Sequence, residues 1–450
     1  MTVLLSGWGG TAPSAARVVR PRDTGQVARA LAAAGSRGAL PRGLGRSYGD
    51  AAQDAGGTVL DCTELTGPVR LDPDRGEVTV AAGTSLGRIS AGLLPRGHAL
   101  PVVPGTRHVT LGGAIAADVH GKNHHADSSL GAHVRSLTLV TPDGTVRRLS
   151  PGEGDTELFW ATVGGMGLTG VVTEATLTTL SVTTAYARVD TDRTADLDAT
   201  LELLSRESCH RYSVAWVDLL GGGRSIVSRA DHAGVRDLPA PSRRAPLSGG
   251  GPGAALTVPV TAPRGIFNRW TVAAFNHAYY HRAPIRRRGQ VQPLAGFFHP
   301  LDGLRAWNRA YGPAGAVQYQ CVIPLGEEDT LRAVAADLAR VPTFLGVLKR
   351  MGWATPAPLS FPRPGWALAV DLPADLPGLR GLLDRLDERV LAAGGRLYLA
   401  KDARARPETV RAMYPGLPDW QRTCARVDPD GVMVSDLARR LDLRARPEKE

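Results

Sequence analysis

The sequence predicts an α+β protein with two domains. Its 450 residues are more than one hydrophobic core usually organises. Residues up to about 184 alternate short strands with helices, and residues 185–395 mix strands and helices around a stretch rich in Pro, Gly and Ser. Hydrophobic residues make up 43% of the chain and charged residues 21%, which is typical of a globular protein.

The first elements form two strand–helix–strand units. In the first unit, "ARVVRP" and "GALPRG" predict strands, and Asp23 or Thr24 caps the helix between them. The segment "EVTVAAGTSLGRISAGLLPRGHALPVVPG" predicts the second unit. A hairpin with Asp143 and Gly144 at its turn is expected in "VRSLTLVTPDGTVRRLS", and short strands continue to about residue 184.

The second half of the chain contains a stretch that we expect to lack regular structure. Residues 240–292 include "PSRRAPLSGGGPGAALTVPVTAP", which cannot bury much apolar surface. A loop of that length is either disordered or a lid. The tail from "RLYLAKDARARPETVRAMYPGLPDW" onward is expected to be mostly helical.

Charge and cysteine content exclude several classes of protein. The net charge is +10, but the arginines are scattered and aromatic residues are only 5%, which disfavours a nucleic-acid-binding protein. The cysteines are too far apart for a zinc site or a disulfide framework: Cys62, Cys209, Cys321 and Cys424. The first residues do not resemble a signal peptide, and no apolar run is long enough to span a membrane. We therefore expect a cytoplasmic protein.

Three short motifs have simpler explanations than catalysis. The G-x-G-x-x-G pattern at Gly165–Gly170 leads into a strand rather than a helix, so we expect no Rossmann site. Ser85 lies in a G-x-S-x-G pattern, but we expect it to cap a helix rather than act as an esterase nucleophile. His120 and His124 are spaced as in zinc helices, yet Gly121 stands where the metalloprotease pattern needs Glu, so no metal is expected.

Two glycine-rich loops are not part of these three motifs and need a separate explanation. In "RGLGRSYGD", residues 42–50, the glycines can expose successive backbone N–H groups that bind a phosphate. In "PGTRHVTLGGAIAADVHGKNHH", residues 104–125, small side chains allow close approach to a flat ligand. Together they could hold the two ends of a large anionic cofactor.

These loops resemble the FAD-binding loops of vanillyl-alcohol-oxidase-type flavoproteins, which carry a PCMH-type domain. The chain is also similar, over nearly its whole length, to the flavin subunits of the decaprenylphosphoryl-β-D-ribose 2′-oxidase family. The motifs that carry this similarity are "LSGWGGTAPS", "HGKNHH", "ELFWATVGGMGLTG", "HPLDGLRAWNRAYGPAG", "QYQCVIP", "APLSFPRPGW", "GGRLYLAKDAR" and "SDLARRL". The resemblance implies an FAD-binding domain over 5–184, an antiparallel-sheet cap over 185–395 with a flexible loop at about 240–292, and a segment 396–450 that returns to the FAD domain.

The resemblance also implies site residues. The residues with implied catalytic roles are Lys401, His120, Lys122 and Tyr398. FAD contacts fall to Arg42, Gly43, Leu44, Gly45, Arg46, Ser47, Tyr48, Gly49, Asp50, Gly105, Thr110, Leu111, Gly112, Gly113, Ala117, Asp118, Val119, His120, Val172 and Tyr398. Substrate contacts fall to Trp216, Phe298, Gln318, Gln320, Lys349 and Lys401.

Four positions differ from other members. Arg46 stands where many members of the wider fold carry a histidine joined covalently to the flavin, so we expect noncovalent FAD. Phe298 stands where the family has Tyr, and Ala367 and Ala369 stand where the mycobacterial enzymes have Asn and Cys. These changes leave the exact substrate open.

The implied activity is FAD-dependent oxidation of a secondary sugar hydroxyl. The resemblance implies the 2′-hydroxyl of a polyprenylphosphoryl-β-D-ribose, the first half of epimerisation to the arabinose donor for cell-wall arabinan. It also implies a separate NAD(P)H-dependent keto-reductase, a quinone or O₂ as electron acceptor, peripheral membrane contact and a location that extends to the cell envelope. The alternative is an oxidase of a soluble sugar, alditol or aldonolactone.

Overall fold

The computed structural model describes residues 2–206, 210–249, 256–263 and 265–444. Cys209 and the glycine-rich centre of the expected loop lie outside these residues. The chain begins with a four-stranded sheet of order β1-β2-β4-β3, in which β2, β4 and β3 are parallel. Its elements are β1 Thr2–Leu5, β2 Ser14–Val19, α1 Thr24–Ala32, β3 Ala39–Arg42 and β4 Thr58–Asp61.

A five-stranded antiparallel sheet completes the first domain. Its order is β5-β6-β10-β8-β9, and β7 and β11 form a separate pair. The elements are β5 Arg70–Asp72, β6 Glu77–Ala81, α2 Leu86–Leu93, β7 His98–Ala99, α3 Leu111–Ala116, α4 His124–Asp127, β8 Val134–Val140, β9 Val146–Leu149, α5 Thr156–Thr162, β10 Val171–Thr178 and β11 Leu180–Ser181.

Local predictions in this domain are confirmed. Asp23 caps α1 by accepting the N–H of Gln26 at 2.8 Å. Ser85 caps α2 by accepting the N–H of Arg88 at 3.2 Å, so its hydroxyl has a structural partner. Strands β8 and β9 pair as the expected hairpin, and the G-x-G-x-x-G segment leads into β10.

The cap is built on an eight-stranded sheet of order β16-β12-β14-β13-β19-β20-β18-β21, in which β21 is Arg396–Leu397 of the C-terminal segment. Its described neighbours all pair antiparallel. The cap elements are β12 Tyr186–Thr194, α6 Leu197–Ser205, β13 Tyr212–Asp218, β14 Arg224–His232, α7 Ala240–Arg243, β15 Leu256–Thr257, α8 Arg269–Arg282, β16 Arg286–Pro293, α9 Leu294–Phe298, β17 Leu304–Arg305, β18 Ala316–Pro324, α10 Glu328–Leu338, β19 Gly346–Met351, β20 Gly365–Pro373 and α11 Leu379–Ala392.

The prediction of an irregular loop over 240–292 is wrong for its second half. Residues 269–282 form helix α8, which Asn268 caps by accepting the N–H of Trp270 at 2.9 Å. Strand β16 pairs with β12 at the edge of the cap sheet. The Pro, Gly and Ser residues that suggested a loop are concentrated before residue 264, so composition averaged over the whole stretch concealed a capped helix and an edge strand.

The C-terminal segment connects both domains. Its elements are β21 Arg396–Leu397, α12 Pro407–Met413, α13 Leu417–Val427 and α14 Asp436–Arg440. Strand β21 joins the cap sheet beside β18, and Trp420 in α13 donates to the carbonyl of Ala161 in the first domain at 2.9 Å. Of the helices in the described ranges, none is long and apolar enough to cross a membrane.

Candidate active site

A cavity of about 1110 Å³ lies between the first domain and the cap sheet. The loop after β3 and the segment leading into α3 form one side, and residues of β13, β14, β18 and β19 form the other. The predicted cofactor residues on its wall are Arg42, Gly43, Leu44, Gly45, Arg46, Ser47, Tyr48, Gly105, Thr110, Gly112, Gly113, Ala117, Val119, His120, Val172 and Tyr398.

Four predicted cofactor residues lie behind this wall: Gly49, Asp50, Leu111 and Asp118. Asp118 is fully buried with a φ of 40°, and it accepts hydrogen bonds from the N–H of Gly131 at 2.9 Å and the hydroxyl of Ser360 at 2.5 Å. The Asp50 carboxylate pairs with Arg440 at 2.8 Å. These side chains brace the loops rather than face the cavity.

The first glycine loop lines the cavity and has unpaired backbone donors. Within the part of the chain that the structure describes, the N–H groups of residues 43–47 make no hydrogen bond, and all five residues line the cavity. Two carbonyls of the loop are occupied elsewhere: that of Ser47 accepts the N–H of Trp8 at 2.7 Å, and that of Leu44 accepts from Arg46 at 2.9 Å. A run of unpaired N–H groups suits a phosphate or pyrophosphate.

The second loop is held against the first and against the cap. A Cβ atom on Gly43 would lie 2.1 Å from the hydroxyl of Thr110, so the two loops pack as closely as glycine permits. Asp302 of the cap accepts from the Thr106 hydroxyl at 2.7 Å and from the N–H of Arg107 at 2.9 Å. The large cavity, the free donors and the small wall residues fit FAD, whose pyrophosphate is anionic and whose rings are flat.

Lysine side chains converge on the same cavity. The chain has four lysines, Lys122, Lys349, Lys401 and Lys449, among 53 basic residues. Three of the four line the cavity, although 279 residues separate Lys122 from Lys401 along the chain. The Lys122 ammonium lies 4.3 Å from the centre of the Phe297 ring and donates to that residue's carbonyl. The ammonium of Lys401 lies 4.5 Å from the centre of the Tyr48 ring.

Removal from bulk water lowers the pKa of each of these lysines. The pKa of Lys122 falls to about 7 for this reason. Lys349 also has a pKa of about 7, because burial is reinforced by the charges of Lys122 and Lys401. The pKa of Lys401 falls less, to about 8, since the carboxylate of Asp371 favours its charged form. Ammonium groups with these pKa values can exchange protons near neutral pH.

His120 connects the lysine cluster to the cap. Its Nδ1 lies 3.1 Å from Nζ of Lys349, and its Nε2 lies 2.9 Å from the side-chain amide of Gln320. Burial, followed by the charge of Lys349, holds the pKa of this histidine well below its ordinary value. The imidazole is therefore neutral at neutral pH. Among the described residues, no group of three His, Cys, Asp or Glu side chains is placed to hold a metal ion.

The other predicted substrate residues also line the cavity: Trp216, Phe298, Gln318 and Gln320. The indole N–H of Trp216 donates to the carbonyl of Phe344 at 2.8 Å, which fixes the ring. Phe298 packs edge-on against Tyr212 with ring centres 4.9 Å apart. Of the two alanines noted in the sequence, Ala369 faces the cavity and Ala367 lies behind its wall.

Tyr398 closes the cavity from the C-terminal segment. Its hydroxyl donates to the carbonyl of Ala117 at 2.7 Å, and its ring stacks on Phe361 with centres 4.7 Å apart. Sequence reasoning missed one residue behind this region, Asp371, a buried carboxylate that receives the Tyr48 hydroxyl at 2.8 Å. An acidic residue within the apolar strand "WALAVDLP" was the signal that could have found it.

Comparison with known proteins places this chain in a family. A model described as an FAD binding domain matches residues 15–150. The chain is 45% identical over 453 residues to decaprenylphosphoryl-β-D-ribose oxidase of Mycolicibacterium smegmatis, covering 98% of each chain. Alditol oxidase of a Streptomyces species is 29% identical over 179 residues, or 39% of this chain and 42% of that protein. L-gulono-1,4-lactone dehydrogenase of Mycobacterium tuberculosis is 34% identical over 209 residues, or 45% of this chain and 46% of that protein.

The first similarity covers both domains and the C-terminal segment, whereas the other two cover less than half of the chain. The prediction of an FAD-dependent oxidoreductase acting on a CH–OH group is confirmed, as is the two-domain α+β fold. The chain belongs to the decaprenylphosphoryl-β-D-ribose oxidase family of FAD-dependent enzymes.

Proposed function

We propose that this protein oxidises the 2′-hydroxyl of a polyprenylphosphoryl-β-D-ribose to the 2′-keto sugar. This reaction is the first half of the conversion to the arabinose donor for cell-wall arabinan. The observation that carries the proposal is the convergence of Lys122, Lys349 and Lys401 with His120 on a cavity that also exposes the free N–H groups of residues 43–47. Similarity over the whole chain to an oxidase of that substrate supports it.

The cavity residues can divide the work of alcohol oxidation. Bound FAD supplies the acceptor for the hydride that leaves the sugar carbon. Lys401, whose pKa of about 8 keeps most of it protonated at pH 7, and the protonated fraction of Lys122 hold positive charge beside the reacting region. This charge stabilises negative charge that develops during the reaction. Lys349, whose pKa of about 7 leaves part of it neutral, can take the hydroxyl proton at Nζ while His120 orients that amine at 3.1 Å.

FAD is proposed to be held noncovalently. Arg46, at the position where relatives of the wider fold attach the flavin, lies on the cavity wall with its guanidinium 4.4 Å from the centre of the Trp8 ring. A guanidinium has no nucleophilic nitrogen at neutral pH. Acid precipitation should therefore release the yellow chromophore into the supernatant, and retention of flavin by the washed polypeptide would contradict the proposal.

The substrate is tested by anaerobic mixing with a polyprenylphosphoryl ribose of short chain length. We expect loss of the flavin absorbance near 450 nm and formation of a 2′-keto sugar, which an added NAD(P)H-dependent keto-reductase converts to the arabinose epimer. Free ribose, alditols and aldonolactones serve as controls for the soluble-substrate alternative. Faster bleaching by an alditol than by the lipid-linked sugar would overturn the substrate assignment. Reoxidation by O₂ and by a soluble quinone, compared in the same instrument, identifies the acceptor.

We also infer peripheral contact with an anionic membrane through residues 256–263 and 265–293. Residues 265–293 contain five arginines and no acidic residue. Large apolar side chains are exposed in the same region, with Trp270 at 83% and Ile285 at 72%. Tyr279 of α8 lines the cavity, so this surface adjoins the site. Arginines beside exposed apolar residues suit an anionic bilayer in which the substrate keeps its polyprenyl tail.

Co-sedimentation with liposomes tests the membrane surface. Arg286 and Arg287 are exposed and make no ion pair in the described chain, whereas Arg288 is tied to Asp192 at 2.6 Å. The variant Arg286→Ser/Arg287→Ser should bind phosphatidylglycerol vesicles more weakly than wild type in low salt. A matched control, Arg380→Ser/Arg385→Ser, removes two exposed arginines of helix α11 and should bind normally. Equal loss in both variants would mean that net charge alone, rather than this surface, controls binding.

A further inference from the structure

A buried carboxylate behind the cavity wall contacts both domains. Asp371 is fully buried in β20 of the cap, directly opposite Gln318 of β18. Its Oδ2 accepts the hydroxyl of Tyr48 at 2.8 Å, and its Oδ1 accepts the side-chain amide N–H of Gln318. Tyr48 belongs to the glycine loop of the first domain. One carboxylate therefore holds one side chain from each wall of the site.

The contact with Gln318 determines what that side chain offers to a substrate. The amide NH₂ of Gln318 donates to Asp371, and no donor in the described chain occupies its carbonyl Oε1, so that oxygen is free to accept from a ligand in the cavity that Gln318 lines. A carbonyl oxygen can only accept hydrogen bonds. The site can therefore offer an acceptor to a hydroxyl of the sugar at this position. Burial raises the pKa of Asp371 to about 6, so at neutral pH the group is mostly ionised, cannot donate, and enforces that orientation.

The hydrogen bond between Asp371 and Tyr48 affects the stability of the charged form of Lys401. The ammonium of Lys401 lies 4.5 Å from the centre of the Tyr48 ring, and the hydroxyl of that ring donates to Asp371. A phenol that donates to a carboxylate has a more electron-rich ring, which attracts a cation more strongly. The negative charge of Asp371 also raises the pKa of Lys401 relative to burial alone.

We propose that Asp371 is a positioning residue for the oxidation: it orients Gln318 as a hydroxyl acceptor and holds Tyr48 as the platform for the Lys401 ammonium. This inference rests on the proposed function. Asp371 itself does not line the cavity, so it acts through these neighbours rather than on the substrate. The charged and titratable groups that act around Lys401 are Asp371 from β20, Tyr48 from the glycine loop, Lys349 from β19 and His120 from the loop after α3.

The substitution Asp371→Asn tests the proposal because it keeps the size of the side chain and removes its charge. Selective ¹³Cε labelling of lysine gives at most four signals from this chain, and Lys401→Arg assigns one of them. We expect the titration midpoint of Lys401 in the FAD-loaded enzyme to fall by about one pH unit in the variant. The rate at which the ribose lipid reduces the flavin should also begin to decline at a lower pH in the variant than in wild type.

Two further variants separate positioning from general damage. Tyr48→Phe keeps the ring and removes the hydroxyl, so a smaller shift of the same sign is expected. Asp387→Asn changes another buried carboxylate, one that pairs with Arg404 at 2.7 Å outside the cavity wall, and should leave the Lys401 midpoint unchanged. An identical Lys401 midpoint in wild type and Asp371→Asn, or in wild type and Tyr48→Phe, would overturn the inference. Because the NMR titration needs no substrate, it decides the role of Asp371 separately from the proposed function, which fails if wild-type flavin is not reduced by the ribose lipid.

Discussion

At the scale of single residues, lysine is the informative amino acid of this chain. Its surface uses arginine almost exclusively, since only four of 53 basic residues are lysines. Arginine keeps its charge in any protein environment, whereas the pKa of a lysine shifts readily when water is removed. Three lysines that line one cavity, with pKa values of about 7 to 8, are therefore the cations of this chain that can change charge near neutral pH.

Replacing Lys401 should separate chemistry from cofactor binding. We expect Lys401→Ala to keep FAD and to lose turnover by about 10²-fold or more, because it removes a preorganised charge. The loss should be in kcat more than in substrate binding, as measured by stopped-flow reduction of the flavin. Lys401→Arg, which keeps a charge that cannot titrate, is the matched comparison. Reduction of the Lys401→Ala flavin at the wild-type rate would remove this residue from the mechanism.

Ala369 should make the enzyme weakly sensitive to covalent nitroaromatic inhibitors. By the family resemblance, such inhibitors attack a cysteine at this position, and Ala369 faces the cavity without a thiol. Cys62 also lines the cavity, but burial raises its pKa to about 12, as it does for Cys321. Thiols with such pKa values are unreactive. Mass spectrometry after turnover with inhibitor should show no adduct, and Ala369→Cys should restore one.

At the scale of elements, the site is made by loops at the ends of regular structure. Strand β3 ends at Arg42, and the five residues that follow line the cavity and have N–H groups that make no hydrogen bond in the described chain. Helix α3 begins at Leu111, immediately after Thr110, whose hydroxyl packs against Gly43. The strands and the helix place the loops, and the absence of a side chain at residue 43 lets the loops meet.

The substitution Gly43→Ala should therefore damage the FAD site. The added Cβ would lie 2.1 Å from the hydroxyl of Thr110, so either the Thr110 side chain or the loops must shift. We expect a loss of stability of roughly 1–3 kcal/mol and weaker FAD binding, measured by thermal unfolding and by fluorescence titration of the apoprotein. Gly152→Ala is a suitable control, since no atom lies within 4 Å of its added Cβ. Unchanged FAD affinity in Gly43→Ala would show that the close approach has no bearing on the cofactor site.

At the scale of the whole molecule, burying Lys349 in the cavity lowers the folding stability by an amount that depends on pH. The pKa of Lys349 is about 7 in the folded protein and 10.5 in its ordinary state. Between these values the unfolded chain binds more protons than the folded one, so the free energy of unfolding rises with pH. Below pH 7 both states are protonated, and the penalty for holding this group in the cavity is fully present.

Lys349→Met should remove part of that pH dependence. We expect the variant apoprotein to be more stable than wild type at pH 7 and to lose this advantage as the pH approaches 10. Urea unfolding at pH 7 and pH 9.5 measures the difference. The double variant Arg380→Ser/Arg385→Ser, which alters exposed cations of helix α11, should follow wild type at both values. A constant difference between Lys349→Met and wild type would contradict the lowered pKa.

Local features of this protein were determined by the sequence itself. The caps at Asp23 and Ser85 and the turn at Gly144 depend on residues within a few positions, so short patterns predicted them. The exposed N–H groups of the glycine loop are local for the same reason. The capped helix at residues 269–282 was missed because its own signal was averaged with the glycine-rich stretch before it.

Only the tertiary structure decided how distant residues combine. The order of the cap strands, with β18 beside β20 and β21, places Gln318 opposite Asp371, an arrangement that no short pattern contains. The meeting of Lys122, Lys349 and Lys401 likewise depends on packing two domains and a returning C-terminal segment. Packing also turned Asp118 away from the cavity, because its carboxylate satisfies buried donors of the protein. Sequence patterns report local hydrogen bonding and periodicity, whereas the electrostatics of this site arise from groups that approach only when the chain is folded.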